Sequence, residues 1–133
     1  MNLLAIDDNV ETTEALRDYC NMQGISCTVA NEGQQGLFEI QKREYDVIIL
    51  DIAMPEYTGF DILSQLQRQG VRHKTIVVLT AWHVKEEDFK DYKDLGVKEI
   101  LKKPIGVDSL DNIVKTYLIN NRPVNPGDIL SVH

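Results

Sequence analysis

Five short apolar runs, each followed by a segment with helical spacing, constrain this chain more than any other feature. The runs cover residues 2–6, 25–30, 46–50, 75–79 and 97–101. Helical patterns cover about 10–23, 32–43, 60–69, 84–95 and 106–120. Asn9 is placed to cap the first helix, and Gly24 to end it. Leu16, Tyr19 and Cys20 share one face of the first helix; Leu37, Phe38 and Ile40 are the expected core contacts of the second. Gly33 and Gly36 weaken that second helix, each by about 1 kcal/mol relative to alanine. Phe89, Tyr92 and Leu95 face inward from the fourth helix, and Leu110, Ile113, Val114, Tyr117 and Leu118 from the fifth.

Regular strand–helix alternation predicts a parallel sheet with right-handed crossovers and helices on both faces. The expected class is α/β: a doubly wound, flavodoxin-like sheet of five strands in the order 2-1-3-4-5, with five helices. The third run is apolar from Val47 to Leu50, as a central strand covered on both faces must be. Ligands of such folds bind outside the carboxyl ends of the strands, at the switch point between strands one and three. The residues at those ends are polar. Asp7-Asp8 follow the first run, Asp51 the third, Thr80 the fourth, and Lys103-Pro104 the fifth.

Three carboxylates, a hydroxyl and an ammonium at one edge suit a hard divalent cation and a phosphoryl group. The carboxylates repel one another, so their pKa values are expected to rise without a cation. Mg²⁺ resolves that conflict, because it takes oxygen ligands from one or two carboxylates, phosphate and water. With Mg²⁺ and Lys103 the formal charge of the cluster is zero, so a phosphoryl donor is not repelled. A carboxylate is also a competent nucleophile that forms an acyl phosphate. Singly, each of these residues reads as a turn, a strand end or a helix start; the signal is their joint occurrence at four strand ends.

The 133 residues fit one domain. The formal net charge of −7 argues against direct nucleic-acid binding, which needs a basic surface. No apolar run is long enough to span a membrane, and no charged-then-apolar leader precedes the first strand, so a cytoplasmic location is expected. Cys20 and Cys27 lack metal or redox spacing and read as small buried hydrophobes. His73, His83 and His133 are scattered, so no zinc site is expected. Residues 1–120 form the expected domain. Residues 121–133, with Pro123, Pro126 and Gly127, read as a disordered tail or linker stub.

At these residues the chain resembles a response-regulator receiver domain of two-component signalling, over about 1–120. Asp7-Asp8 resembles the acidic pair that binds Mg²⁺. Asp51-Ile52-Ala53-Met54-Pro55, followed by Gly59, resembles the phosphoacceptor loop. Thr80-Ala81 resembles the switch hydroxyl and its small neighbour. Lys103-Pro104 resembles the site lysine and a proline whose preceding peptide bond is usually cis. The resemblance implies phosphoryl transfer from a sensor histidine kinase, or a phosphotransfer protein, to Asp51. It implies Mg²⁺ held by Asp8, Asp51 and the Ala53 carbonyl, with Asp7 fixing waters. Phosphorylation would draw Thr80 inward and alter the face made by the fourth helix, fifth strand and fifth helix, which would act on a downstream protein or output domain. Such a module is not an enzyme in the ordinary sense; it catalyses only its own phosphorylation and dephosphorylation.

Two departures stand out. The family often carries Tyr or Phe three positions before the lysine, where this chain has Ile100. The positions flanking the path of the hydrolytic water are Ala53 and Trp82, neither of which carries a carboxamide or carboxylate. Slow self-dephosphorylation is therefore expected, unless Trp82 lies on the surface as a partner contact. Two other readings compete: a pseudo-receiver that binds partners without phosphorylation, and a Mg²⁺-dependent phosphatase of the haloacid-dehalogenase type. The latter places Asp-x-Asp after its first strand, whereas Asp7 and Asp8 are adjacent.

Overall fold

In the computed structural model, which describes residues 1–119 and 131–132, the five apolar runs become parallel strands. They are β1 (Asn2–Ile6), β2 (Ser26–Ala30), β3 (Val47–Asp51), β4 (Ile76–Thr80) and β5 (Val97–Lys102). The order is β2-β1-β3-β4-β5, as the sequence predicts. β3 and β4 are buried along their whole length, which is why their sequences carry no polar alternation. Asp51 and Thr80 are the last residues of their strands rather than the first residues after them. Their registers explain it, for Asp51 pairs with Leu79 and Thr80 with Lys102.

Alternate side chains divide the core between the two faces of the sheet. Leu4, Ile6, Ile48, Leu50, Ile76, Val78 and Ile100 meet the helices α2 (Gly33–Lys42) and α3 (Gly59–Gln69) on one face. Leu3, Ala5, Val47, Ile49, Val77, Leu79 and Leu101 meet α1 (Val10–Met22) and α4 (Val107–Ile113) on the other. Asn9 caps α1 by accepting the Thr12 N–H at 3.1 Å. Thr58 caps α3 in a reciprocal box with Asp61. Gly36 has a packing role that offsets its low helix propensity, since a Cβ there would stand 2.6 Å from Ile6. Cys20 is buried and Cys27 half-buried, both as free thiols.

One expectation is corrected, and two of the five helices depart from α winding. Phe38 is 59% exposed, with the Lys42 ammonium 5.8 Å from its ring centre, so it is not a core residue; Gly36 and Ile40 take the inward positions of α2. The fourth helix is a 3₁₀ helix over Glu86–Leu95. Its apolar residues Phe89, Tyr92 and Leu95 recur every three positions, and such side chains eclipse along a 3₁₀ helix. Side chains from outside also occupy its carbonyls. Gln67 donates to the Asp91 carbonyl at 3.0 Å, and Arg72 Nε to that of Asp94 at 2.8 Å. The fifth helix is α over Val107–Ile113 and π over Val114–Ile119, and its inward residues Leu110, Ile113, Val114 and Leu118 stay buried.

The predicted tail lies outside the described residues except for Ser131–Val132. These form a two-residue strand β6, parallel to β5 at its free edge, which the sequence pattern did not announce. Among the described residues no helix is long and apolar enough to cross a membrane.

Candidate functional site

The carboxyl edge of the sheet gathers the polar strand ends into one cluster. Asp7 and Asp51 are each 1% exposed, while Asp8 is exposed. One oxygen from each of the three lies within 4.8 Å of the others. Lys103 Nζ enters between them, 2.8 Å from Asp7 Oδ2 and 3.2 Å from Asp51 Oδ2. Its side chain keeps 21% exposure, so the cluster opens to solvent on the Asp8 and Lys103 side.

Local backbone fixes each carboxylate. Asp7 Oδ1 accepts the Asn9 N–H at 2.9 Å, and Asp51 Oδ1 accepts the Ala53 N–H at 3.0 Å. Each is an Asx turn that closes the strand end on itself. Gly59 is required behind Asp51, because a Cβ there would lie 2.7 Å from the Asp51 carbonyl and 2.6 Å from the Ile52 side chain. Its N–H donates to the Ile52 carbonyl at 3.1 Å, folding the loop back under the strand end. Thr80 is fully buried and its Oγ1 accepts the Trp82 N–H at 2.9 Å, which leaves the hydroxyl hydrogen free to donate. The Lys103 N–H donates to the Thr80 carbonyl at 2.9 Å, and the Lys103–Pro104 peptide is cis.

The electrostatics follow from that burial. Asp51 is pushed up to about 6, first by desolvation and then by the Asp7 charge, against the pull of the Ala53 N–H and Lys103. Burial lowers the Lys103 pKa, but the carboxylates of Asp7 and Asp51 outweigh it and hold the ammonium above its ordinary value. Asp7 Oδ2 is buried with no aligned hydrogen bond among the described residues; Lys103 meets it as an ion pair only. A buried carboxylate oxygen without an aligned donor, facing two further carboxylates, fits a hard oxygen-seeking cation such as Mg²⁺.

The structure brings Asp7, Asp8, Asp51 and Lys103 into contact range, and sets Thr80 at the neighbouring strand end. The Ala53 carbonyl belongs to the loop that Asp51 anchors. Ile100 is fully buried in the β5 strand, and Trp82 is 48% exposed. Sequence reasoning missed Asn31. It follows β2 as Asp7 follows β1, and its amide donates to the Asp7 carbonyl at 3.0 Å and to Thr13 Oγ1 at 2.9 Å. The strand-end rule that found the other residues applies equally to Asn31, but its charge-neutral side chain gave no chemical signal.

Comparison with known proteins gives the family and the fold. The family described as response regulator receiver domain matches residues 3–115. The chain is 30% identical over 132 residues to the response regulator MprA of Mycobacterium leprae, covering 99% of this chain and 57% of that protein. It is 30% identical over 119 residues to the aerobic respiration control sensor protein ArcB of Escherichia coli, covering 88% of this chain and 15% of ArcB. The chain therefore spans only part of these relatives. Among solved structures, the receiver domain of the Francisella response regulator 1452 superposes with a TM-score of 0.76 at 28% identity, over 91% of this chain and 98% of that one. The chemotaxis response regulator CheY4 of Vibrio cholerae gives 0.74 at 27% identity, over 88% and 98%.

Proposed function

Since this chain belongs to the response regulator receiver domain family, we propose that it is a phosphorylation switch whose phosphoacceptor is Asp51, within a domain spanning residues 1–120. The observation that carries this reading is the buried Asp51 carboxylate, held beside Asp7, Asp8 and Lys103 at the open edge of the sheet. Asp8, Asp51 and the Ala53 carbonyl would hold Mg²⁺, with Asp7 as the buried carboxylate beside them. The cation supplies charge neutralisation for the carboxylates and for the incoming phosphoryl oxygens.

The residues of the chain do the rest. An ionised Asp51 oxygen attacks the phosphorus of a phosphohistidine on a sensor kinase or phosphotransfer protein. The P–O bond forms as the P–N bond breaks, and the imidazole leaves with the electron pair and takes up a proton. Lys103, already between Asp7 and Asp51, exchanges part of that pairing for a phosphoryl oxygen. Thr80 donates its free hydroxyl hydrogen to another. Thr80 then moves toward Asp51 and carries the β4 end with it, changing the face made by the 3₁₀ helix, β5 and α4. That face acts on a downstream protein or output domain. With Ile100 where an aromatic partner would stand, the motion of Thr80 is not matched by a ring rotating inward.

Ala53 offers no polar side chain to a hydrolytic water, and Trp82, which is 48% exposed, carries no carboxamide or carboxylate to position one. The acyl phosphate is therefore long-lived. Incubation with acetyl phosphate and Mg²⁺, followed by mass spectrometry, is expected to show one phosphoryl addition, absent from Asp51→Asn, that decays over minutes or longer once the donor is removed. No addition would overturn the switch, decay within seconds would overturn the long lifetime, and turnover of free phosphomonoesters would favour a phosphatase.

A further inference from the structure

We infer that Asn31 is a positioning residue for the cation site, acting through the Asp7 backbone; the inference rests on the reading that the acidic cluster holds a divalent cation. Asn31 follows β2 and touches no reacting group. Its single amide spans three elements: it donates to the Asp7 carbonyl at 3.0 Å and to Thr13 Oγ1 in the first turns of α1 at 2.9 Å. Thr13 is 1% exposed and passes its own hydroxyl hydrogen to the Val10 carbonyl at 3.1 Å. Both amide hydrogens of Asn31 and the Thr13 hydroxyl hydrogen thus have acceptors.

The consequence falls on Asp7 and Asp8. The Asp7 N–H already donates to the Ala30 carbonyl at 3.0 Å, the last rung of the β1–β2 ladder. With Asn31 on its carbonyl, Asp7 is held on both sides of its Cα. Only one side-chain direction then serves both the Asn9 N–H on Oδ1 and Lys103 beyond Oδ2. The peptide that Asn31 grips is also the one that leads into Asp8, so its plane sets where the Asp8 carboxylate starts. Asp8 is exposed and accepts no hydrogen bond that would aim it otherwise, among those found between described residues. Groups that orient ligands from behind commonly change metal affinity by about 10- to 100-fold when removed.

The test is a Mg²⁺ titration of the full chain followed by the amide NMR signals of residues 7–9, in the wild type, Asn31→Ala, Thr13→Val and the double variant. Asn31→Ala is expected to raise the Mg²⁺ dissociation constant about tenfold or more. Thr13→Val leaves one Asn31 hydrogen without its acceptor and is expected to raise it about threefold. The double variant should be no weaker than Asn31→Ala, because both lesions break one network. A merely structural asparagine would lower the melting temperature and leave the affinity of the folded protein unchanged. An Asn31→Ala dissociation constant within twofold of wild type overturns the inference while the cation site stands. If Asn31→Ala does not fold, an unchanged constant in Thr13→Val overturns it instead. A wild type that binds no Mg²⁺ at residues 7–9 overturns the cation site, and the inference with it.

Discussion

The β1–β3 side of the carboxyl edge and the β4–β5 side are built by different rules. On the first side, the two buried carboxylates are each held by their own loop: Asp7 by Asn9, Asp51 by Ala53, with Gly59 making room behind. The flanking helices α1 and α3 are regular and capped by Asn9 and Thr58. On the second side, the elements after β4 and β5 depart from α geometry, into a ten-residue 3₁₀ helix and a final π segment. The 3₁₀ helix is fastened from outside. Phe89 stacks on Phe60 at 5.1 Å, the Tyr92 and Ser64 hydroxyls share a 3.1 Å hydrogen bond, and Gln67 and Arg72 hold its carbonyls. Chemistry needs a fixed constellation, whereas an output face needs an element with two accessible arrangements. Runs of 3₁₀ helix this long are uncommon, and this one is held by hydrogen bonds and a ring stack from α3 and the segment after it and packs on the sheet beside β5 as well.

If outside contacts hold the 3₁₀ helix, removing the largest of them should have the largest effect. Phe89 is fully buried, so Phe89→Ala is expected to cost about 3–5 kcal/mol, read as a lowered urea midpoint. Loss below about 1 kcal/mol would show that the helix is not anchored there.

The site side carries its strain as charge. The Asp51 pKa is raised from 3.8 to about 6 in the folded chain, so the folded state binds more protons than the unfolded state between those values. Stability without Mg²⁺ therefore falls as pH rises through that window, by about 3 kcal/mol at most, and is flat above it. Asp51→Asn should remove this dependence and be the more stable protein at neutral pH. Parallel stability–pH curves for the two proteins would contradict it.

The smallest effect separates the two sides most finely. Ser64→Ala removes the hydroxyl partner of Tyr92 and is expected to cost about 1 kcal/mol. Hydrogen exchange should accelerate in residues 86–95 and remain unchanged in residues 7–9 and 51–53. Equal acceleration in both places would mean that the two sides open as one unit.

Much of this protein was readable from its residues alone. Strand order and the meeting of Asp7, Asp8, Asp51 and Lys103 at one sheet edge, with Thr80 at the neighbouring strand end, follow from short-range pattern. A strand covered on both faces is apolar up to its carboxyl end, so the polar residue that closes it, Asp51 in β3 and Thr80 in β4, marks the edge. Phe38 misled because a 3.6-residue period allows two inward faces when glycines lie beside the apolar residues; the tight approach of Gly36 to Ile6 chose the face that exposes the ring. Asn31 stands at a strand end like the others but carries no charge, and the partners that give it a place lie 24 and 18 positions away. The 3₁₀ helix of Glu86–Leu95 likewise has its partners Gln67, Arg72 and the Phe60 ring well apart from it along the chain. The sequence by itself determined which groups meet at the edge, because strand ends are local. Only the tertiary structure decided how they are aimed and how the segment after β4 is wound, because those depend on partners distant along the chain.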